Sequence, residues 1–332
     1  MITVTVEPFW PVRAADADLA AWCAVYCDGT RDTSGSTVAR DVLAARLLAE
    51  EEPVPRWAAR GGSGGAISGV AALRPQPHQP GTGFLRLFVA PSVRRGGVGS
   101  ALLREVLRSA GGAGTGRLQS TVVAGPPGEP FALAVPGLRV LLRLELQEQR
   151  LDEEWVRERC RELARNGPCG YRPVHWTGPA PERLAASFGR VMGHVLDAPG
   201  AALQLAHRAW DTAALRAWEA RMTAGGDRLL VSTAVHPASG EVVAATVATV
   251  PAGGGPVADQ HDTAVLPERR GQGLARWIKA GQAVRLHEHF PGVRAVTSTV
   301  NRENPSMTAV NRSLGYRTVG GRLLVEAPVS SC

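Results

Sequence analysis

The chain is 332 residues long with 44% hydrophobic and 20% charged residues, enough for two domains of ordinary size, each with a real core. Its 38 glycines and 24 prolines stay below the ~25–30% that marks low-complexity chains, which excludes disorder as the main state. A formal net charge of +7 favours polyanionic partners, a nucleotide cofactor or an acidic carrier protein, while the scattered arginines, with no basic run and no interleaved aromatics, argue against a nucleic-acid-binding chain.

No stretch approaches the ~18 consecutive apolar residues of a membrane span, and the start, Met1 to Glu7, has neither the basic nor the apolar segment of a signal peptide; the chain reads as cytoplasmic. Cys23, Cys27, Cys160, Cys169 and Cys332 are odd in number and contain no CxxC, so neither a disulfide framework nor a metal site has its spacing. Only Lys279 among the 37 basic residues is lysine, which with the abundant Ala, Gly and Pro reads as the bias of a GC-rich genome.

In chain order the first half predicts helices over about 15–26 and 38–50. Strands follow over about 56–60, 66–73 and 84–89, then a helix over about 98–109 with Val98, Leu102, Leu103, Val106 and Leu107 on its apolar face. The prolines and glycines between Asn166 and Pro181 read as a linker. The second half predicts strands over about 228–235, 242–250 and 262–266 and a helix over about 273–289. Trp210, Trp218 and Trp277 read as core residues.

Two stretches repeat each other. Val89 to Gly99 (VAPSVRRGGVG) and Val265 to Ala275 (VLPERRGQGLA) lie 176 residues apart, and the β-like runs after Gly65 and Gly240 lie 175 apart, which indicates an internal duplication. Each turn, Arg-x-x-Gly-x-Gly/Ala between a strand and a helix, lets backbone N–H groups converge at the positive end of a helix dipole, a natural phosphate site. Gly97, Gly99 and Gly273 permit close approach, and Arg94, Arg95, Arg269 and Arg270 add charge. A P-loop is excluded for want of Gly-Lys-Ser/Thr, and a dinucleotide fingerprint fits poorly with Leu102 and Arg276 at its third glycine.

A strand ending Val-x-Pro followed by this turn resembles the pyrophosphate-binding motif of the GNAT superfamily of acyl-CoA N-acyltransferases. Ser298 to Asn301, Asn304-Pro305 and Asn311 to Tyr316 are similar to the C-terminal signature of the same superfamily. Asn304 is also a good N-cap with Pro305 at the first helical position. The resemblance covers about 228–320 well and 66–109 moderately. It implies an α/β fold of two tandem GNAT domains, each a mixed, splayed central sheet flanked by helices, as in mycothiol synthase. The expected boundaries are 1–155 for a degenerate N-terminal domain, 156–181 for a helix and linker, and 182–332 for a catalytic domain.

The resemblance further implies that acetyl-CoA or another acyl-CoA is the co-substrate, with no metal. Its pyrophosphate would lie on Arg270, Gly271, Gln272, Gly273, Leu274 and Ala275, with Val265 near the thioester and Asn304 beside the arm; Arg94, Arg95, Gly97 and Gly99 are the first-half counterparts. The acceptor would be a primary amine of a small molecule or peptide, which needs a base to take its proton. Alternation along a strand puts Val265, Thr263, His261 and Asp259 on one face, and the resemblance implies an acid or histidine four or six positions before the valine, which His261 and Asp259 match, while a bulge would present Asp262 instead. The matching first-half positions, Leu85 and Gly83, accept no proton. Asn301 either bonds the arm or acceptor or caps a turn. Asn311 stands where many family members carry a thiolate-protonating tyrosine. An acyl carrier protein as donor and a non-catalytic acyl-CoA-binding scaffold are the alternatives.

Overall fold

The computed structural model describes residues 4–34, 39–51, 54–61, 65–76, 79–200 and 210–329. Val38, at the expected start of a helix, and Cys332 lie outside them.

The first half runs β1 (Val4–Pro8), α1 (Asp16–Ser34), α2 (Arg40–Leu48), β2 (Arg56–Gly61), β3 (Ile67–Pro75), β4 (Thr82–Val89), α3 (Val98–Gly112), β5 (Arg117–Val123), α4 (Gly128–Leu133) and β6 (Arg139–Arg150). The second half runs α5 (Glu154–Arg165), β7 (Arg172–Thr177), α6 (Glu182–Gly193), α7 (Thr212–Thr223), β8 (Arg228–Val235), β9 (Val242–Val250), β10 (Val257–Val265), α8 (Leu274–His289), β11 (Ala295–Asn301), α9 (Pro305–Ser313) and β12 (Arg317–Pro328).

The expected linker contains a strand. Arg172–Thr177 is β7, antiparallel to β8 from Arg172↔Val235 to Thr177↔Leu230, and it ends its sheet. An end strand tolerates Pro173, because a ring nitrogen with no hydrogen to give is lost only from the unpaired side. The surrounding prolines and glycines punctuate the strand instead of dissolving it.

The chain divides into two compact units, Met1–Arg143 with Arg322–Cys332, and Leu144–Gly321. The limits of these compact units fall inside β6 and β12. In the first unit the strand order is β1-β2-β3-β4-β5-β12, with β12 antiparallel to β5 from Arg322↔Val123 to Pro328↔Arg117. In the second it is β7-β8-β9-β10-β11-β6, with β6 antiparallel to β11 from Ala295↔Arg150 to Asn301↔Leu144. Each half of the sequence thus donates its last strand to the other unit's sheet.

Within the first unit, α3 buries Val98, Leu102, Val106 and Ala110 on Trp57, Ala59, Ala71, Leu73 and Leu85. On the opposite face, α1 brings Trp22 and Cys23 onto Ala58, Val70 and Ala72. Within the second unit all nine residues of β9 are buried, which is why this strand reads as an apolar run without alternation. One face lies under α8, where a Cβ on Gly281 would meet His175; His175 aligns with Ser232, and Ser232 with Thr246. The other face lies under α6, whose Phe188 makes an edge contact with Trp176, aligned with Val231 and Val247.

Candidate active site

The parallel pairs that precede each glycine turn are short. β10 and β11 run side by side only from Val257↔Ala295 to Gln260↔Ser298, and β4 and β5 only from Thr82↔Arg117 to Phe84↔Gln119. Beyond those points each pair parts, leaving in each unit a wedge between strands.

In the second unit the wedge begins at a bulge. β10 pairs with β9 as Asp259↔Thr249 and Gln260↔Ala248, then resumes at Thr263↔Thr246 and Val265↔Ala244, with one extra residue across His261 and Asp262. The expected single face is therefore split. Val265 and Thr263 align with Ala244 and Thr246 on the α8 face, where the Thr246 and Thr263 hydroxyls lie 2.8 Å apart. Asp259 aligns with Thr249 on the α6 face, and His261 reaches the same side, its Nε2 2.7 Å from Thr249 Oγ1. Asp259 accepts from Thr297 Oγ1 at 2.8 Å, which fixes its carboxylate beside β11. His261 is exposed, while Asp259 and Asp262 are half-buried.

The turn after β10 is built for an anion. Gly271 and Gly273 have φ of 76° and 78°, which a side chain would strain; a Cβ on Gly271 would meet open space, so conformation, not crowding, demands glycine there. Gly273 caps α8 with no side-chain bond, so the first N–H groups from Leu274 and Ala275 onward have no side-chain cap. Arg270 folds back to donate from Nε to the Val265 carbonyl (3.2 Å), and Nη2 bonds Asp197 Oδ2 at 2.5 Å. Tyr171 donates its hydroxyl proton to Gln272 Oε1 at 2.6 Å. Hydrogen bonds from His194 and Arg270 hold the Asp197 carboxyl below the usual carboxylate range.

Asn301, at the end of β11, is buried and makes the turn-capping bond: its Oδ1 accepts from Glu303 N (3.2 Å), while its Nδ2 donates to the Pro199 carbonyl (2.9 Å). Asn304 caps α9, its Oδ1 accepting from Met307 N at 3.0 Å. Asn311 is fully buried and donates to Gln147 Oε1 on β6 (2.8 Å), tying α9 to the donated strand. Asp197, Pro199, Thr249 and Tyr171 were not singled out in the sequence; none belongs to a motif, and only chain folding brings them to the turn and the bulge.

The first unit repeats the turn with local differences. Arg94 Nε donates to the Val89 carbonyl at 3.0 Å, as Arg270 does to Val265, and Gly97 has φ of 86°. Arg95, at the position of Gly271, is forced to φ of 69°. Gly99 lies against Phe131, whose ring would be 3.4 Å from an added Cβ. β4 pairs with β3 in unbroken register from Gly69↔Val89 to Pro75↔Gly83, without a bulge. On its α1 side Phe88 is packed edge-on to Tyr26, which stacks on Trp22 and through it on Phe9.

Splayed strands, a glycine turn at a helix start and duplicated topology agree with comparisons to known proteins. Residues 20–126 match the acetyltransferase (GNAT) family model. Among solved structures, a tandem GNAT protein from the clavulanic acid biosynthesis pathway aligns with a TM-score of 0.78 and 23% identity over 99% of this chain and 100% of its own. A GCN5-related N-acetyltransferase from Sphaerobacter thermophilus aligns at 0.67 and 14% over 99% and 96%. Another from Kribbella flavida aligns at 0.51 and 15% over 79% and 88%. No curated protein sequence matches the chain. Residues 20–126 thus match the acetyltransferase (GNAT) family, and the chain as a whole shares the fold of a tandem GNAT protein. No helix among the described residues is long and apolar enough to cross a membrane.

Proposed function

We propose that the protein is an N-acyltransferase that moves an acyl group, acetyl in the first instance, from acyl-CoA to a primary amine of a small molecule or peptide, and that the second unit carries the chemistry. The observation that carries this reading is the bulge in β10, which sets His261 at the start of the wedge while the glycine turn closes the same strand. Bulges are over-represented beside active sites because they re-aim a side chain.

The donor set fits a diphosphate: two αL glycines, the uncapped start of a 16-residue helix and the Arg270 guanidinium. When bound, acyl-CoA supplies an activated thioester. The chain's own residues would bind its phosphates at 270–275 and offer the Val265 N–H toward developing negative charge. His261, exposed on the α6 face and oriented by Thr249, is our choice for the group that takes the amine proton, with Asp262 beside it in the bulge. Asp259, engaged by Thr297, has a positioning role.

Titration of CoA and acetyl-CoA by calorimetry, with thiol release followed in the same samples, tests the reading. Gly273→Glu would put a carboxylate against the phosphates and is expected to abolish binding, whereas Gly97→Glu leaves it intact. Ala275→Glu, at a helical position, delivers the same charge without backbone strain. His261→Ala is expected to lower kcat by about 10²–10⁴-fold at unchanged acetyl-CoA affinity. The family match on 20–126 favours one second reading, a first unit that itself binds acyl-CoA; loss of one of two sites in Gly97→Glu would establish it.

A further inference from the structure

In the second unit the segment that follows α6, His194 to Pro199, is tied to both banks of the wedge. On one bank Arg270, doubled back onto the end of β10, holds Asp197 Oδ2; on the other, Asn301, the last residue of β11, holds the Pro199 carbonyl. Asp197 and Pro199 are two residues apart, a span of at most ~7 Å along the chain. Two arms from the parted strand ends therefore meet on a stretch short enough to lie between them. His194 Nδ1 lies 2.9 Å from the same Asp197 oxygen that Arg270 engages.

The carboxylate of Asp197 stands where the arginine of the turn would meet a phosphate. We propose that His194–Pro199 is a strap across the mouth of this wedge, latched by Asp197 on Arg270, and that the diphosphate of the incoming ligand takes the arginine from Asp197 and releases the latch. Two phosphoryl groups carry more charge than one carboxylate and also accept from the backbone of the turn, so they win the exchange. A singly charged phosphodiester, such as a carrier protein presents, lacks that advantage. The latch selects for a CoA-type donor over a carrier-borne one and deepens the acyl-CoA reading, on which its ligand half rests. Asn301 remains as the hinge on the other bank.

The latch is tested without ligand by amide hydrogen exchange over residues 194–198. Asp197→Asn and Arg270→Ala are each expected to speed exchange there, and the double variant to add little beyond either. With ligand, Asp197→Asn is expected to tighten acetyl-CoA about two- to fivefold, the scale of one exposed ion pair. Glu268→Gln, which removes a charge from the same turn outside the latch, separates that exchange from a general electrostatic effect and is expected to fall short of Asp197→Asn. Unchanged exchange in Asp197→Asn, weaker acetyl-CoA binding in it, or an equal gain in Glu268→Gln overturns the proposal. If no protein in the series binds acetyl-CoA, the acyl-CoA reading fails, and hydrogen exchange still decides the strap.

Discussion

The two units are built on one plan and differ at four matched places. At the strand before the turn, β10 is bulged and β4 is not. One residue before Val265 stands Ala264, where the first unit has Phe88 wedged against Tyr26. Gly271 replaces Arg95 at an αL position, and Lys279 in α8 replaces Leu103 in α3. The first difference arms the second unit's strand on its α6 side with His261, and the second leaves a small buried alanine where the first unit carries a stack of aromatic rings. The family match falls on the aromatic-filled half, so it follows the scaffold; the chemistry is argued from the residues grafted on it.

The largest effect is expected from separating the halves. A fragment of 1–155 keeps β6 but lacks the Arg322–Pro328 strand that pairs with β5, and the remaining fragment has β12 but lacks the strand that pairs with β11. Each would carry an unpaired sheet edge and a stray strand, a recipe for aggregation. Neither fragment alone is expected to show a cooperative unfolding transition, whereas the two co-expressed recover one. A cooperative melt of the isolated 1–155 fragment would mean that the exchanged strands are dispensable.

Lys279 gives the next effect. It is 4% exposed and lies 5.2 Å from the centre of the Tyr316 ring, and burial pushes its ammonium down from 10.5 to about 7. Between those values the unfolded chain holds a proton that the folded chain has released, so stability rises with pH across that window. Below pH ~7 both states are protonated and the penalty of the buried charge is full, on the order of 5 kcal/mol at ~1.4 kcal/mol per pKa unit. Lys279→Leu, which copies the first unit, is expected to raise stability by a few kcal/mol at pH 6 and to flatten the pH dependence up to pH ~10. Denaturant unfolding at several pH values checks both.

Sequence patterns carried the duplication, the turns and the helices that follow them, because close packing under α3 and α8 demands apolar residues at helical spacing. α1 extends past the expected end to Ser34, and Gly29 inside it is the reason: a Cβ there would meet the Phe88 ring, so a residue that reads locally as a helix breaker is demanded by tertiary packing. The strand exchange had no sequence signal, since a strand looks the same whichever sheet accepts it. The site was partly legible. Counting back from Val265 reaches His261 and Asp259, and a bulge, which leaves no mark in composition, decides whether they share its face or whether Asp262 is presented instead; the bulge between Gln260 and Thr263 separates them from the Val265 face. Asp197 could not be read at all, lying 73 residues from Arg270 with only an unremarkable loop around it.

The smallest effect concerns the turns themselves. Arg95 is the one non-glycine residue with positive φ among those described, at 69°, and the duplicated position is Gly271 at 76°. A side chain there crowds the following carbonyl, and its removal relieves a strain of about 1 kcal/mol, partly offset by the greater freedom glycine gives the unfolded chain. Arg95→Gly is therefore expected to stabilise the protein by up to about 1 kcal/mol, and Gly271→Arg to destabilise it by a similar amount. If the first turn were a working phosphate site that relies on Arg95 charge, the stabilised variant would also lose acetyl-CoA affinity. Stability gained with affinity unchanged is what a structural first unit requires.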